Sequence, residues 1–146
     1  MSSFGGPFLI APLSSMLGIR GGMNVALHNV PEGFLEALLP LPEGAALVPD
    51  ARTGLDVQVL FASKKTEVIE KLASLTRGMA VMGSIWVCFP THSDSLHAPS
   101  EDFVRLAALE MGLTDTKKLM LDPAWTSLKL QWKSRAPRPE LPSVRA

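Results

Sequence analysis

Met23-Asn24-Val25-Ala26-Leu27-His28-Asn29-Val30-Pro31-Glu32-Gly33-Phe34 sets an apolar run directly against a turn and the opening of a helix. Met23–Val30 is apolar at most positions, with Asn24 and His28 the exceptions, and that pattern predicts a strand buried on both faces and therefore central in its sheet. Pro31 suits the first position of a helix, Glu32 complements the helix dipole there, and Phe34, Leu35, Leu38 and Leu39 make an apolar stripe. Pro40 and Pro42 end it. A strand feeding straight into a helix is the unit of an α/β sheet, and the turn between them is where a nucleotide-like ligand docks in that architecture.

The same alternation continues toward the C-terminus. Ala45-Ala46-Leu47-Val48 predicts a short second strand, and Pro49–Gly54 is a polar loop leading to a third, Leu55–Ala62, made β-prone by Val57, Val59, Leu60 and Phe61. Ser63 can cap a helix over Lys64–Thr76 whose Val68, Ile69, Leu72 and Leu75 share one face. Arg77-Gly78 and Met82-Gly83 bracket a loop, and Ser84–Phe89 is a continuous apolar strand stopped by Pro90. After a polar loop, Thr91–Pro99, Ser100 caps the helix Glu101–Met111, which Gly112 terminates. Thr116–Leu121, the Asp122-Pro123-Ala124 turn and Trp125–Lys133 form a closing hairpin, with Thr126, Leu128, Leu130 and Trp132 on one face of its last strand. Strands alternating with helices predict a three-layer, Rossmann-like, mainly parallel sheet of about six strands, closed by an antiparallel hairpin at or near an edge.

Toward the N-terminus, Arg20-Gly21-Gly22 breaks the chain before the first strand, Leu13–Gly18 fits one helical turn, and residues 1–12 are expected to be a flexible arm. The Phe8-Leu9-Ile10 patch is too short for a membrane span and lacks the basic flank of a signal peptide. Residues 13–133 are then a single α/β domain, and 134–146, with Pro137, Pro139 and Pro142, a disordered tail. The whole is 146 residues, long enough to bury about two-thirds of the surface of its unfolded chain without a metal or disulfide.

Composition narrows the function classes. Hydrophobic residues make up 47% and charged residues only 19%, so the surface is sparing of charge and a homo-oligomer is an expected partner state. Lys+Arg 14 balance Asp+Glu 14, and no basic run interleaves with aromatics, which argues against nucleic acid; no membrane partner is expected either. The lone cysteine, Cys88, cannot form an internal disulfide, and a cytoplasmic location fits.

Several segments carry a family resemblance. Leu55-Asp56-Val57-Gln58-Val59-Leu60-Phe61, the helix ending Leu75-Thr76-Arg77, the Gly83-Ser84-Ile85-Trp86-Val87 strand and the Leu113–Trp132 hairpin look like the C-terminal half of a Rossmann-like class I methyltransferase. Leu17-Gly18-Ile19-Arg20-Gly21-Gly22-Met23-Asn24-Val25 looks like the lead-in to its first strand. Leu13 to Lys133 more closely resembles a family of short bacterial proteins of unknown function related to that fold, sharing Asn29-Val30-Pro31-Glu32-Gly33, Trp86-Val87-x-x-Pro90 and Trp125-x-x-Leu128-Lys129. The resemblance implies a methyltransferase-like fold. Methyltransferases usually end the first strand with an acidic residue and a Gly-x-Gly loop, since only glycine lets backbone approach the cofactor closely. Here His28-Asn29-Val30-Pro31-Glu32-Gly33 stands in that place. Pro31 removes a backbone donor and Val30 crowds the approach, so the cofactor loop is degenerate and S-adenosylmethionine is not expected to dock in the usual mode.

The carboxyl ends of parallel strands share one edge, and the candidate ligand residues on it are His28, Asn29, Glu32, Asp50 and His92. By the resemblance, Asp50 is the residue suited to ribose hydroxyls; as a loop residue beside Gly54 it also fits a turn cap. His92, Asp94 and His97 with Cys88 match no zinc spacing, so no metal is expected, and Cys88 inside an apolar strand reads as core. No catalytic constellation stands out. The chain is thus expected to be a non-catalytic binding or interaction module with no cofactor and an unidentified small ligand. The alternative is an S-adenosylmethionine-dependent methyltransferase, or another nucleotide-ligand enzyme, using the same sheet edge.

Overall fold

The computed structural model describes Phe4, Leu9, residues 11–49 and residues 53–133; Asp50, the expected tail and most of the expected arm lie outside the described residues. The element order is α1 (Leu13–Met16), β1 (Asn24–His28), α2 (Phe34–Leu38), β2 (Ala46–Leu47), β3 (Leu55–Phe61), α3 (Lys65–Thr76), β4 (Met79–Pro90), α4 (Glu101–Glu110), β5 (Leu113–Asp122) and β6 (Trp125–Trp132). Among the described residues these strands form one sheet in the order β2-β1-β3-β4-β6-β5. β2, β1, β3 and β4 run parallel, and β6 inserts antiparallel between β4 and β5. This is the expected mainly parallel α/β sheet with a closing hairpin.

Two cores lie on its two faces. On one, α3 and α4 lay Val68, Leu72, Leu75, Val104 and Ala108 over Leu60, Ile85, Val87, Leu128 and Leu130. On the other, α1 and α2 bring Leu13, Leu17, Phe34 and Leu38 onto Val25, Val57, Val59, Phe61 and Trp86. Trp86 is fully buried, and its indole N–H is satisfied by the Leu17 carbonyl at 3.0 Å, which ties α1 to the sheet.

Three local expectations change. The helix after β1 starts at Phe34, not Pro31, because Gly33 takes a left-handed φ of 90° that no helical residue can adopt; it serves as the N-cap instead. β4 is longer than Ser84–Phe89 because the pairing jumps from Leu55↔Met79 to Val57↔Ser84, so residues 80–83 bulge outward inside one continuous strand. A Cβ at Gly83 would stand 2.7 Å from the Leu55 carbonyl, so the bulge depends on glycine there. β1 is second from an edge, and β3 and β4 occupy the middle; the two-residue β2 ends the sheet on that side.

The caps divide similarly. Ser100 caps α4 by accepting from the Phe103 amide at 3.1 Å, as its position predicts. At α3 the work falls to Glu67, whose carboxylate accepts from the Ser63 and Lys64 amides at 2.9 and 3.1 Å, and Lys64 is the N-cap residue. No helix among the described residues is long and apolar enough to cross a membrane.

Candidate functional site

Strand order reverses between β1 and β3, since the chain goes outward from β1 to β2 and then returns to lie on β1's other side. The crevice at the carboxyl ends of those two strands is where an open α/β sheet binds ligands. Here rings occupy it. Phe61 ends β3, Phe34 opens α2, and their centroids are 5.0 Å apart and edge to face. Trp125 closes on Phe61 from the hairpin at 4.8 Å. Phe4 covers the group, 5.5 Å from Phe34 and 5.9 Å from Phe61, and is itself buried. Edge-to-face contacts at these separations are the favourable geometry for aromatic pairs.

The sequence candidates fall around this crevice on different sides. Asn29 is exposed at the end of β1 with a left-handed φ of 58°, and Glu32 is exposed two residues before α2. His28 is buried, with its Nε2 3.2 Å from Gln58 Oε1, while the Gln58 amide donates to the Leu75 carbonyl at 3.0 Å. That chain of bonds belongs to the α3 face, so His28 faces away from the rings. His92 lies on the loop after β4, exposed. With β3 between β1 and β4, it stands two strands across the sheet from Asn29 and further along the strand direction, past the end of β4. Asn29 and Glu32 share one turn, His28 and His92 stand apart from it, and Asp50 lies outside the described residues. Cys88 is fully buried, and burial pushes its thiol pKa well up, which keeps it protonated and inert.

The open space lies elsewhere on the same edge. A cleft of about 450 Å³ runs between the loop after β4, the start of α4 and the hairpin. Lys65, Ser95, Glu101, Lys118 and Thr126 present polar groups to it, and Phe89 and Met120 present apolar surface. Thr91 and Thr126 hydroxyls bond each other at 2.8 Å on one wall. The volume suits a small ligand. His92 lies between Thr91 and Ser93, both of which line it.

One wall is held by charge. Arg105 reaches Glu101 at 2.7 Å, Asp102 at 3.0 Å and Asp115 at 3.1 Å, and Lys118 reaches Glu101 at 2.9 Å, which links α4 to β5. The hydrogen bonds from Lys118 and Arg105 hold the Glu101 carboxyl below its ordinary pKa, and those to Glu101 and Asp115 raise Arg105. Among the described residues no three His, Cys, Asp or Glu side chains converge as metal ligands would. Lys65, Lys118 and Thr126 escape a reading of the sequence because they come from three separate elements. Only the Ser100 cap, which fixes where α4 begins, marks the place.

No family model and no curated protein matches the sequence. Solved structures do. A SAM-dependent methyltransferase from Aquifex aeolicus superposes with a TM-score of 0.53 at 9% identity, covering 80% of this chain and 85% of that one. A protein from Sulfolobus solfataricus assigned to the type 11 methyltransferases gives 0.61 at 10% identity, covering 86% and 92%. An O-methyltransferase from neocarzinostatin biosynthesis, solved in complex with S-adenosylmethionine, gives 0.56 at 11% identity; the likeness covers 76% of this chain and 49% of that one. At such identities the likeness is one of architecture, and the architecture is the methyltransferase-like α/β fold.

Proposed function

We propose that this chain is a non-catalytic binding or interaction module built on a methyltransferase-like fold, cytoplasmic and able to self-associate. The observation that carries the reading is the ring cluster. Phe34 is fully buried between Phe61 and Phe4 in the crevice where the fold would take a ligand. The turn beside it offers Asn29, Val30 and Pro31 where a cofactor loop needs bare backbone. The open cleft beside α4 is the module's recognition surface for a small ligand. A second reading, an S-adenosylmethionine-dependent enzyme, is favoured by the structural neighbour that holds that cofactor and by left-handed Gly33, which keeps one glycine in the turn.

Isothermal titration of the full chain with S-adenosylmethionine and with S-adenosylhomocysteine separates the two readings. The module reading expects no saturable heat from either compound. Micromolar affinity for either one overturns it in favour of the enzyme.

A further inference from the structure

The sheet face that carries α1 and α2 leaves part of the hairpin uncovered; Lys117 and Lys129 meet there, and the charge of Arg20 acts on Lys129. Lys117 on β5 and Lys129 on β6 are direct cross-strand partners, so their side chains leave the same face. Like charges placed directly opposite destabilise a strand pair. On its other side Lys129 pairs with Trp86, and its ammonium sits 5.8 Å from the centre of that buried ring, where the π-face attracts it. Gly18, left-handed at the end of α1, lies against the same amine: a Cβ there would stand 3.6 Å from Lys129 Nζ. Arg20 follows two residues later.

The hairpin's own carboxylates are engaged elsewhere, Asp115 with Arg105 on α4 and Asp122 with the Ala124 and Trp125 amides. Lys118, the neighbour of Lys117, turns to the opposite face and meets Glu101. Among the described residues, the ion pairs include none with Arg20, Lys117 or Lys129. Burial, then the charges of Lys117 and Arg20, hold Lys129 below the ordinary lysine pKa. Since the whole chain balances 14 basic against 14 acidic residues, this excess is local.

We propose that Arg20, Lys117 and Lys129 form an oxyanion site for a ligand bearing a phosphate group, on the α1 face and separate from the carboxyl-edge cleft. A dianion offsets the opposed lysines, the Arg20 guanidinium offers the fork that fits tetrahedral oxygens, and Trp86 and Gly18 hold Lys129 in place for it. The site does not depend on whether the carboxyl edge binds S-adenosylmethionine.

Thermal denaturation of the full chain in millimolar inorganic phosphate, against chloride at equal ionic strength, tests it. Phosphate is expected to raise Tm above the chloride value, since a ligand bound only to the folded state stabilises it. Lys117→Glu places a carboxylate opposite Lys129; it should raise Tm in chloride and abolish the phosphate shift, and Lys129→Gln should abolish the shift as well. Lys71→Glu, the same charge change on the exposed side of α3, should keep it. In the wild-type chain carrying ¹³C-methylated lysines, phosphate should move the Lys129 signal, a readout that needs no variant to fold. Glycerol phosphate run alongside separates sources: a larger shift than inorganic phosphate points to a phosphomonoester, and an equal one to the free anion. Equal Tm in phosphate and chloride with an unmoved Lys129 signal overturns the proposal, and so does a phosphate shift that survives in both Lys117→Glu and Lys129→Gln.

Discussion

At the β1–β3 corner the carboxyl edge of the sheet ends in the rings of Phe4, Phe34, Phe61 and Trp125. Past β3 on the same edge, beyond β4, it ends in hydroxyls and amines around about 450 Å³ of open space. The first region is apolar, ordered by edge-to-face contacts and continuous with the core below it. The second is walled mostly by exposed or half-buried residues and held by a partly exposed ion-pair network. The fold supplies both places. What differs is whether side chains or solvent fill them, so a substitution at the corner should cost folding, whereas one in the cleft should cost little stability.

Phe34→Ala is the sharpest way to break the contrast. Removing a fully buried ring from the corner should destabilise the chain by about 3–5 kcal/mol in urea denaturation. A loss below about 1 kcal/mol, the scale of an ordinary surface change, would mean that the corner is not packed core. Phe4→Ala follows. Its ring touches Phe34 and Phe61 from the outside, so a loss of about 1–3 kcal/mol is expected by the same measurement, less than for Phe34. An effect equal to that of Phe34→Ala would make the covering ring part of the core.

The network around the cleft gives smaller effects. Because the folded chain holds Glu101 below its ordinary pKa of 4.5, the carboxylate's contribution is present above that pH and is lost as pH falls through the lowered value. Glu101→Gln should therefore lower stability at neutral pH by about 0.2–1 kcal/mol, the range for exposed pairs, and flatten the acid limb of the stability-pH curve. An unchanged acid limb would detach Glu101 from the wall. Ser95→Ala, on an exposed cleft residue whose Oγ accepts from the His97 amide, should stay within about 0.5 kcal/mol of wild type.

How far these two regions can be read from the sequence depends on whether local rules or register decide them. α4 is legible because Ser100 and Gly112 act on their own neighbours, and the alternating strand and helix signals give the sheet. The β1–α2 turn is legible as a departure from a glycine loop, but not where its helix starts, since Gly33 could be helical or left-handed until the structure fixes φ at 90°. His28 shows the limit of alternation: the pattern puts it opposite Val25 and Leu27, but which face α3 covers comes from tertiary packing. β4 is misjudged because its bulge depends on contact between Gly83 and a strand far away in sequence. The Lys117–Lys129 pairing is hidden for a related reason. Counting back from Asp122↔Trp125 aligns Lys129 with Lys118, and the register shift between Met120 and Asp122 moves the partner by one. Phe4 carries no periodic signal at all, and only the folded corner gives its ring a place.

The central claim is that rings, not a nucleoside, fill the crevice between β1 and β3. A crystal structure of the full chain grown with saturating S-adenosylhomocysteine tests it most directly. The account predicts Phe34 and Phe61 in edge-to-face contact at about 5.0 Å with no ligand between the strands. Adenosine density in that crevice, with the rings displaced, would contradict it.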